Sequence, residues 1–127
     1  MSALRKYETL SDLPRVMLVW YPWENPDWGE VSQLAHGVGV GPEAQHIFNP
    51  DVLTDKKRED WDKSVVSNDP SDFVTLMHSL ELAVHPFTLQ DDILIYRESA
   101  FEETKLYVEK GIDGIFCEFP LSTYTLL

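Results

Sequence analysis

The sequence predicts an α/β protein whose strands run parallel. Two observations carry this. The runs VHPFTLQDD (Val84 to Asp92) and GIDGIFCEFP (Gly111 to Pro120) each read as a short apolar strand ending in a Pro-aromatic or acid-aromatic cluster. The segment between them has helical spacing, and two parallel neighbours need a crossover of that length. The same alternation of strand and helix recurs upstream, with no internal repeat and no low-complexity tract.

Taken in order, Ser2 to Leu10 is weakly helical. Pro14 opens PRVMLVWYP, in which Val16 to Trp20 is unbroken apolar sequence, as in a strand covered on both faces. A loop of Trp, Pro, Asn and Asp follows (Pro22 to Gly29). Glu30 to His36 then reads as a short helix turning Val31, Leu34 and Ala35 inward and stopped by Gly37. GVGVGPE (Gly37 to Glu43) has weak strand propensity, yet its alternation suits a strand that other groups approach closely.

Asn49 to Asn68 contains KKREDWDK and reads as a solvated loop or a surface helix anchored by Trp61. A helix capped by Asp69 and opened by Pro70 places Phe73, Leu76, Met77 and Leu80 on one stripe. A further helix, Glu98 to Lys110, puts Phe101, Thr104 and Val108 on one side and ends at Gly111. The expected strands are therefore RVMLVWY, GVGVG, LAVHPFT and DGIFCEF.

Composition narrows the function classes. The chain has 127 residues, 43% of them hydrophobic, which suits one globular domain spanning 1–127. A formal charge of −12 speaks against nucleic acid or an anionic membrane as partner, since either polyanion would be repelled. Cys117 is the sole cysteine, so no internal disulfide forms. MSALRKYETLSDL lacks the apolar core of a signal peptide, and no stretch approaches the roughly 20 apolar residues of a spanning helix. A soluble chain is expected.

The blocks VHPFT and DGIFCEFP, in this order and spacing, resemble the last two strands of the glycerophosphodiester phosphodiesterase family, which typically writes them VHPYT and DGLFTDFP. GVGVGP is similar to that family's GIGP strand. The resemblance runs from DLPRVMLV to Phe119 and Pro120, and it implies the fifth to eighth strands of a TIM barrel. A whole barrel takes about 250 residues. The expectation is thus a partial TIM barrel: four carboxyl-terminal βα units of a phospholipase C-like phosphodiesterase barrel.

The activity implied is metal-dependent hydrolysis of a glycerophosphodiester, such as glycerophosphocholine, to glycerol 3-phosphate and an alcohol, a step of lipid and glycerol metabolism. The family's calcium or magnesium site and its acid and base groups sit on early strands: an HRG motif, a Glu-x-Asp pair, a further His and a Glu. None of these motifs occurs here. No catalytic residue and no metal ligand is therefore expected from this chain, and none of its four histidines has metal-binding spacing. The competing reading is an inactive truncated or spliced form that acts as a binding or dimerising module, pairing as a homodimer through exposed sheet edges.

What the resemblance leaves is the distal wall of a substrate pocket: Phe87, His85, Phe116 and Glu118. Phe87 stands where the family has Tyr or Trp, and reads either as pocket wall or as barrel packing. His85 shares its strand face by two-residue alternation; a satisfied core histidine is the preferred reading for it. Phe116 and Glu118 match the family's Phe and Asp, with Glu118 a methylene longer, and Cys117 replaces a Thr. Cys117 lies near Glu118 and Asp113, which disfavour a thiolate, so it reads as a small hydrophobe. YPWENPDW either caps a ligand site or is anchored by its own tryptophans.

Overall fold

The computed structural model describes residues 2–20, 24, 26–40, 45–48, 72–94 and 97–126. Its elements, in chain order, are α1 (Ser2–Glu8), β1 (Val16–Val19), α2 (Trp28–Leu34), β2 (Gly37–Val40), α3 (Gln45–Phe48), α4 (Asp72–Ser79), β3 (Ala83–Pro86), α5 (Ala100–Glu109) and α6 (Pro120–Leu126). Among the described residues this is a mixed α/β structure around a small open sheet of three parallel strands in the order β1-β2-β3. The expected cap Asp69 with Pro70, the charged run from Asn49 to Asn68, Gly41 to Glu43, and Tyr21 to Trp23 and Asn25 of the aromatic loop lie outside the described residues.

Register decides which side chains share a face. Met17, Val38 and Val84 are aligned across the three strands, as are Val19, Val40 and Pro86. Side chains alternate along a strand, so both rows point to one side, where Val38, Val40 and Val84 join the buried core. That core also takes Val31 and Ala35 from the α2 region, Phe73, Val74 and Met77 from α4, and Leu106 and Tyr107 from α5. Edge-to-face ring pairs tie the helices together: Trp28 with Phe73 at 5.4 Å and Phe48 with Tyr107 at 4.9 Å. Leu76 and Leu80 pack against the same cluster from its margin, so the expected α4 stripe is present, with Val74 lying deeper than either.

The helix ends have identifiable chemistry. Asp27 and Ser99 cap α2 and α5, their side chains accepting from the N–H groups of Glu30 and Glu102. In each case the cap is followed three residues later by Glu, the spacing of a capping box. α2 consequently starts two residues before the expected Glu30. α5 ends at Gly111, whose φ of 82° fits the predicted left-handed stop. α4 ends with Glu81 at φ 59°, where the N–H of Leu82 reaches the carbonyl of Met77 and that of Glu81 reaches His78. This is a Schellman motif built without glycine.

Three expectations need correction. First, DGIFCEF is not a strand. It runs parallel to β3, but only Leu89 and Cys117 form a bridge. The outer edge of β3 explains why. The Val84 N–H is taken by the Asp113 carboxylate at 2.8 Å, and Pro86 has no N–H to give. The Val84 carbonyl accepts from Asp113, whereas the Pro86 carbonyl accepts from Phe116, one residue later than a regular ladder would have it. Second, β1 is covered on one face only, since Leu18 is 64% and Trp20 51% exposed. Third, the buried side of α5 carries Glu103, Thr104, Leu106 and Tyr107, while Phe101 and Val108 are each 51% exposed. Helix α6 was not anticipated.

These faces set a direct stability test. Met77→Ala removes a fully buried side chain and should cost about 2–5 kcal/mol, whereas Phe101→Ala, on an exposed face, should stay within about 0.5 kcal/mol. Urea unfolding of both variants measures this; a larger loss for Phe101→Ala would overturn the assignment of the α5 face.

Candidate functional site

The second face of the sheet is built from Val16, Gly37 and Ala83 in one row and Leu18, Gly39 and His85 in the next. The glycines of β2 make this face shallow at its centre. A Cβ on Gly37 would fall 2.8 Å from the Ala83 carbonyl oxygen, and one on Gly39 would fall 2.5 Å from the tip of Leu18. The close approach expected of a Gly-Val strand is thus made by neighbouring strands.

Beyond the carboxyl ends of β1 and β3, Trp20 and Phe87 continue the same face. Their rings meet at 5.7 Å with a 56° tilt. His85 and Phe116 form a second pair at 6.2 Å, near edge-to-face, and Gly114 leaves room for the imidazole, whose Cδ2 would lie 3.2 Å from an added Cβ. His85 and Phe87 are half-buried, and Phe116 is 47% exposed. The result is an apolar, aromatic depression with a single imidazole, and it is open to solvent.

Three of the four residues expected from sequence therefore gather on one surface: His85, Phe87 and Phe116. Glu118 does not join them. Its backbone N–H bonds to the Leu89 carbonyl, and its side chain is exposed. The residue that sequence reasoning left out is Trp20. The signal was available, because Trp20 follows Leu18 by two positions and so shares its face. Cys117 is half-buried against the core, in keeping with a small hydrophobe.

His36 and His78 have structural surroundings, and the His46 side chain lies outside the described residues. The His36 ring accepts from the Arg15 backbone N–H at 3.2 Å through Nδ1, while the His36 backbone N–H donates to the Arg15 carbonyl. His78 pairs with Asp113 at 2.8 Å. Partial burial works against the Asp113 charge, but the Val84 N–H, the hydrogen bond to His78 and the nearby His78 and His85 rings together hold this carboxyl below its ordinary value. Among the described residues no three of His, Cys, Asp or Glu come together as a cation site. The divalent cation implied by the resemblance thus has no fit among them.

No protein-family model matches the chain, and neither does any curated protein.

Asp113 is the pH-sensitive element of this region. Its lowered folded-state value means that its contribution is in place above the ordinary carboxylate range and is lost as the pH falls through and below it. Asp113→Ala leaves the Val84 N–H without its partner and should cost about 1–2 kcal/mol at neutral pH. In urea melts across pH, the gap between the parent and this variant should close toward acid. A gap that does not narrow would refute the role.

Proposed function

We propose that the chain forms the carboxyl-terminal half of a glycerophosphodiester phosphodiesterase-like barrel and supplies the distal wall of its substrate pocket. Hydrolysis would need the metal and the acid and base groups of the other half. The observation that carries this reading is the two-sidedness of the parallel sheet. In a TIM barrel the helices ring the outside, and the functional surface lies at the carboxyl ends of the strands. Val38, Val40 and Val84 would then face outward to the helices, and Leu18, Gly39 and His85 would face the barrel interior. Trp20 and Phe87, just past the strand ends, would stand at the pocket mouth.

The roles follow from chemistry. Trp20 and Phe87 present aromatic faces, which suit the glycerol carbons or the quaternary ammonium of a choline headgroup. The His85 imidazole, like the Trp20 indole N–H, would be able to donate a hydrogen bond to a phosphoryl oxygen, and Phe116 packs beside His85. Glu118 would stand at the rim.

The experiment is a titration with sn-glycero-3-phosphocholine followed by NMR. Weak binding should shift signals of His85, Phe87 and Phe116, and Phe87→Ala should abolish the effect. With calcium or magnesium added, no glycerol 3-phosphate should appear. Absence of shifts at those residues would sink the pocket-wall role, and chelator-sensitive turnover would sink the inactivity of this half.

A second reading, a module that dimerises through the same surface, is favoured by the exposed Leu18, Trp20 and Phe116 and by β1 standing at an end of the sheet order. Unpaired sheet edges and exposed apolar patches both promote association. Sedimentation should show a dimer that Leu18→Lys converts to monomer. A cooperatively folding monomer at all concentrations would remove both this reading and the half-barrel.

A further inference from the structure

Among the described residues the sheet has one open edge. At β3 the Asp113 carboxylate and the residues that follow it occupy the outer side. Main-chain groups alternate in direction along a strand, so Met17 and Val19 bond to β2, as the Arg15 carbonyl bonds to His36, while the N–H and carbonyl groups of Val16 and Leu18 point away from the sheet. No described residue hydrogen-bonds to them. Folded proteins usually blunt such an edge with lysine, proline or another charge. The four residues of β1, VMLV, carry none, and Leu18 is 64% exposed. The edge is instead stopped at its two ends. Trp20, the next outward position, already donates its N–H to the Glu24 carboxylate at 2.9 Å, and Pro14, the preceding one, has no N–H to give.

We infer that β1 pairs antiparallel with β1 of a second copy about a two-fold axis at Met17, an inference that deepens the dimer reading above and rests on it. The donors fix the register. With the axis at Met17, Val16 of each copy lies opposite Leu18 of the other, and each such pair exchanges both of its hydrogen bonds. The next positions outward set Trp20, whose N–H is spent, against Pro14, which has none, so no donor is stranded. Centring the pair on Val16 would set Leu18 against Pro14, and centring it on Leu18 would set Val16 against Trp20; either loses bonds. The two stops of one edge thus complement each other only when the edge meets a copy of itself. Each copy carries −12, and an uncharged strand is a place where two such chains can meet. With one open edge per copy the pair is closed and does not grow into a filament. The axis stands perpendicular to the sheet, so the aromatic depressions of both copies lie on one face, and the second copy occupies the edge that the half-barrel reading leaves for the missing half.

The test is sedimentation of the full chain over a dilution series, with a melt of each variant. The contact is small, so the parent should be a dimer that dissociates on dilution. Leu18→Pro removes the outward N–H and spares the bonds to β2, so it should weaken the dimer roughly thirtyfold or more while still melting cooperatively. Leu18→Ala keeps that N–H and should weaken it about fivefold or less. Cross-linking reads the register directly and decides the matter if Leu18→Pro fails to fold. In a Cys117→Ala background, copies carrying Val16→Cys mixed with copies carrying Leu18→Cys should oxidise to the mixed disulfide, because opposed Cα atoms about 5.5 Å apart can be bridged. Like-with-like disulfides should be minor, since those positions lie beyond the reach of about 7 Å. A dimer that Leu18→Ala abolishes and Leu18→Pro spares, or a predominance of like-with-like disulfides, would overturn the edge pairing and leave association through the apolar face standing. A monomer at every concentration would remove the dimer reading and this inference together.

Discussion

The rest of the described structure depends on the alternation within β2. Val38 and Val40 are fully buried and project to the helical side, and Gly37 and Gly39 project to the other. The valines give the helices a surface to pack on, each burial worth about 1.5–3 kcal/mol. The glycines let β1 and β3 close over the opposite side, with the Ala83 carbonyl occupying space that a Cβ on Gly37 would need. A central strand with side chains on both faces would hold the same helices but would lift Leu18 and His85 apart. The shallow aromatic surface exists because the central strand contributes no side chain of its own to this face, so Leu18 and Phe87 reach over it.

A second constraint acts at the other edge. By engaging the Val84 N–H, Asp113 takes one of the donors that a fourth strand would need, and Pro86 withholds the next. The segment from Asp113 to Glu118 therefore stays irregular while still following β3 in the parallel sense. Irregularity here has a consequence for chemistry: the extra residue between the Val84 and Pro86 contacts sets Gly114 against the imidazole and brings Phe116 beside it.

How much of this was legible in the sequence varies with the kind of signal. Val38 and Val40 alternate with glycine, and Phe73 and Met77 recur at helical spacing, so the helical side of the sheet could be read directly. The end of α5 was marked by Gly111, whereas α4 ends through Glu81 in the left-handed region, which no residue preference announces. Phe101 and Val108 misled because an apolar residue on a helix need not face the core; the buried positions include Glu103 of α5 and Lys110 at its C-cap, whose polarity hid them. The fourth strand was misjudged because DGIFCEF has strand composition, and the obstacle to pairing lies in Asp113 and Pro86, a competition between side chain and backbone that propensity does not count. Of the candidate wall, His85, Phe87 and Phe116 came together because alternation and strand-end position are local signals. Glu118 stayed apart because a rim position depends on neighbours that composition does not specify.

The 112–117 segment borders two surfaces with different chemistry. Gly114 and Phe116 meet His85, Ile115 and Cys117 line a cleft beneath α5 and α6, and Gly114 borders both. A one-residue shift of this segment would carry Phe116 away from His85. What prevents the shift is the Asp113 carboxylate, bound to both the Val84 N–H and His78, with the Leu89 to Cys117 bridge at the far end. The two anchors hold the register from both sides.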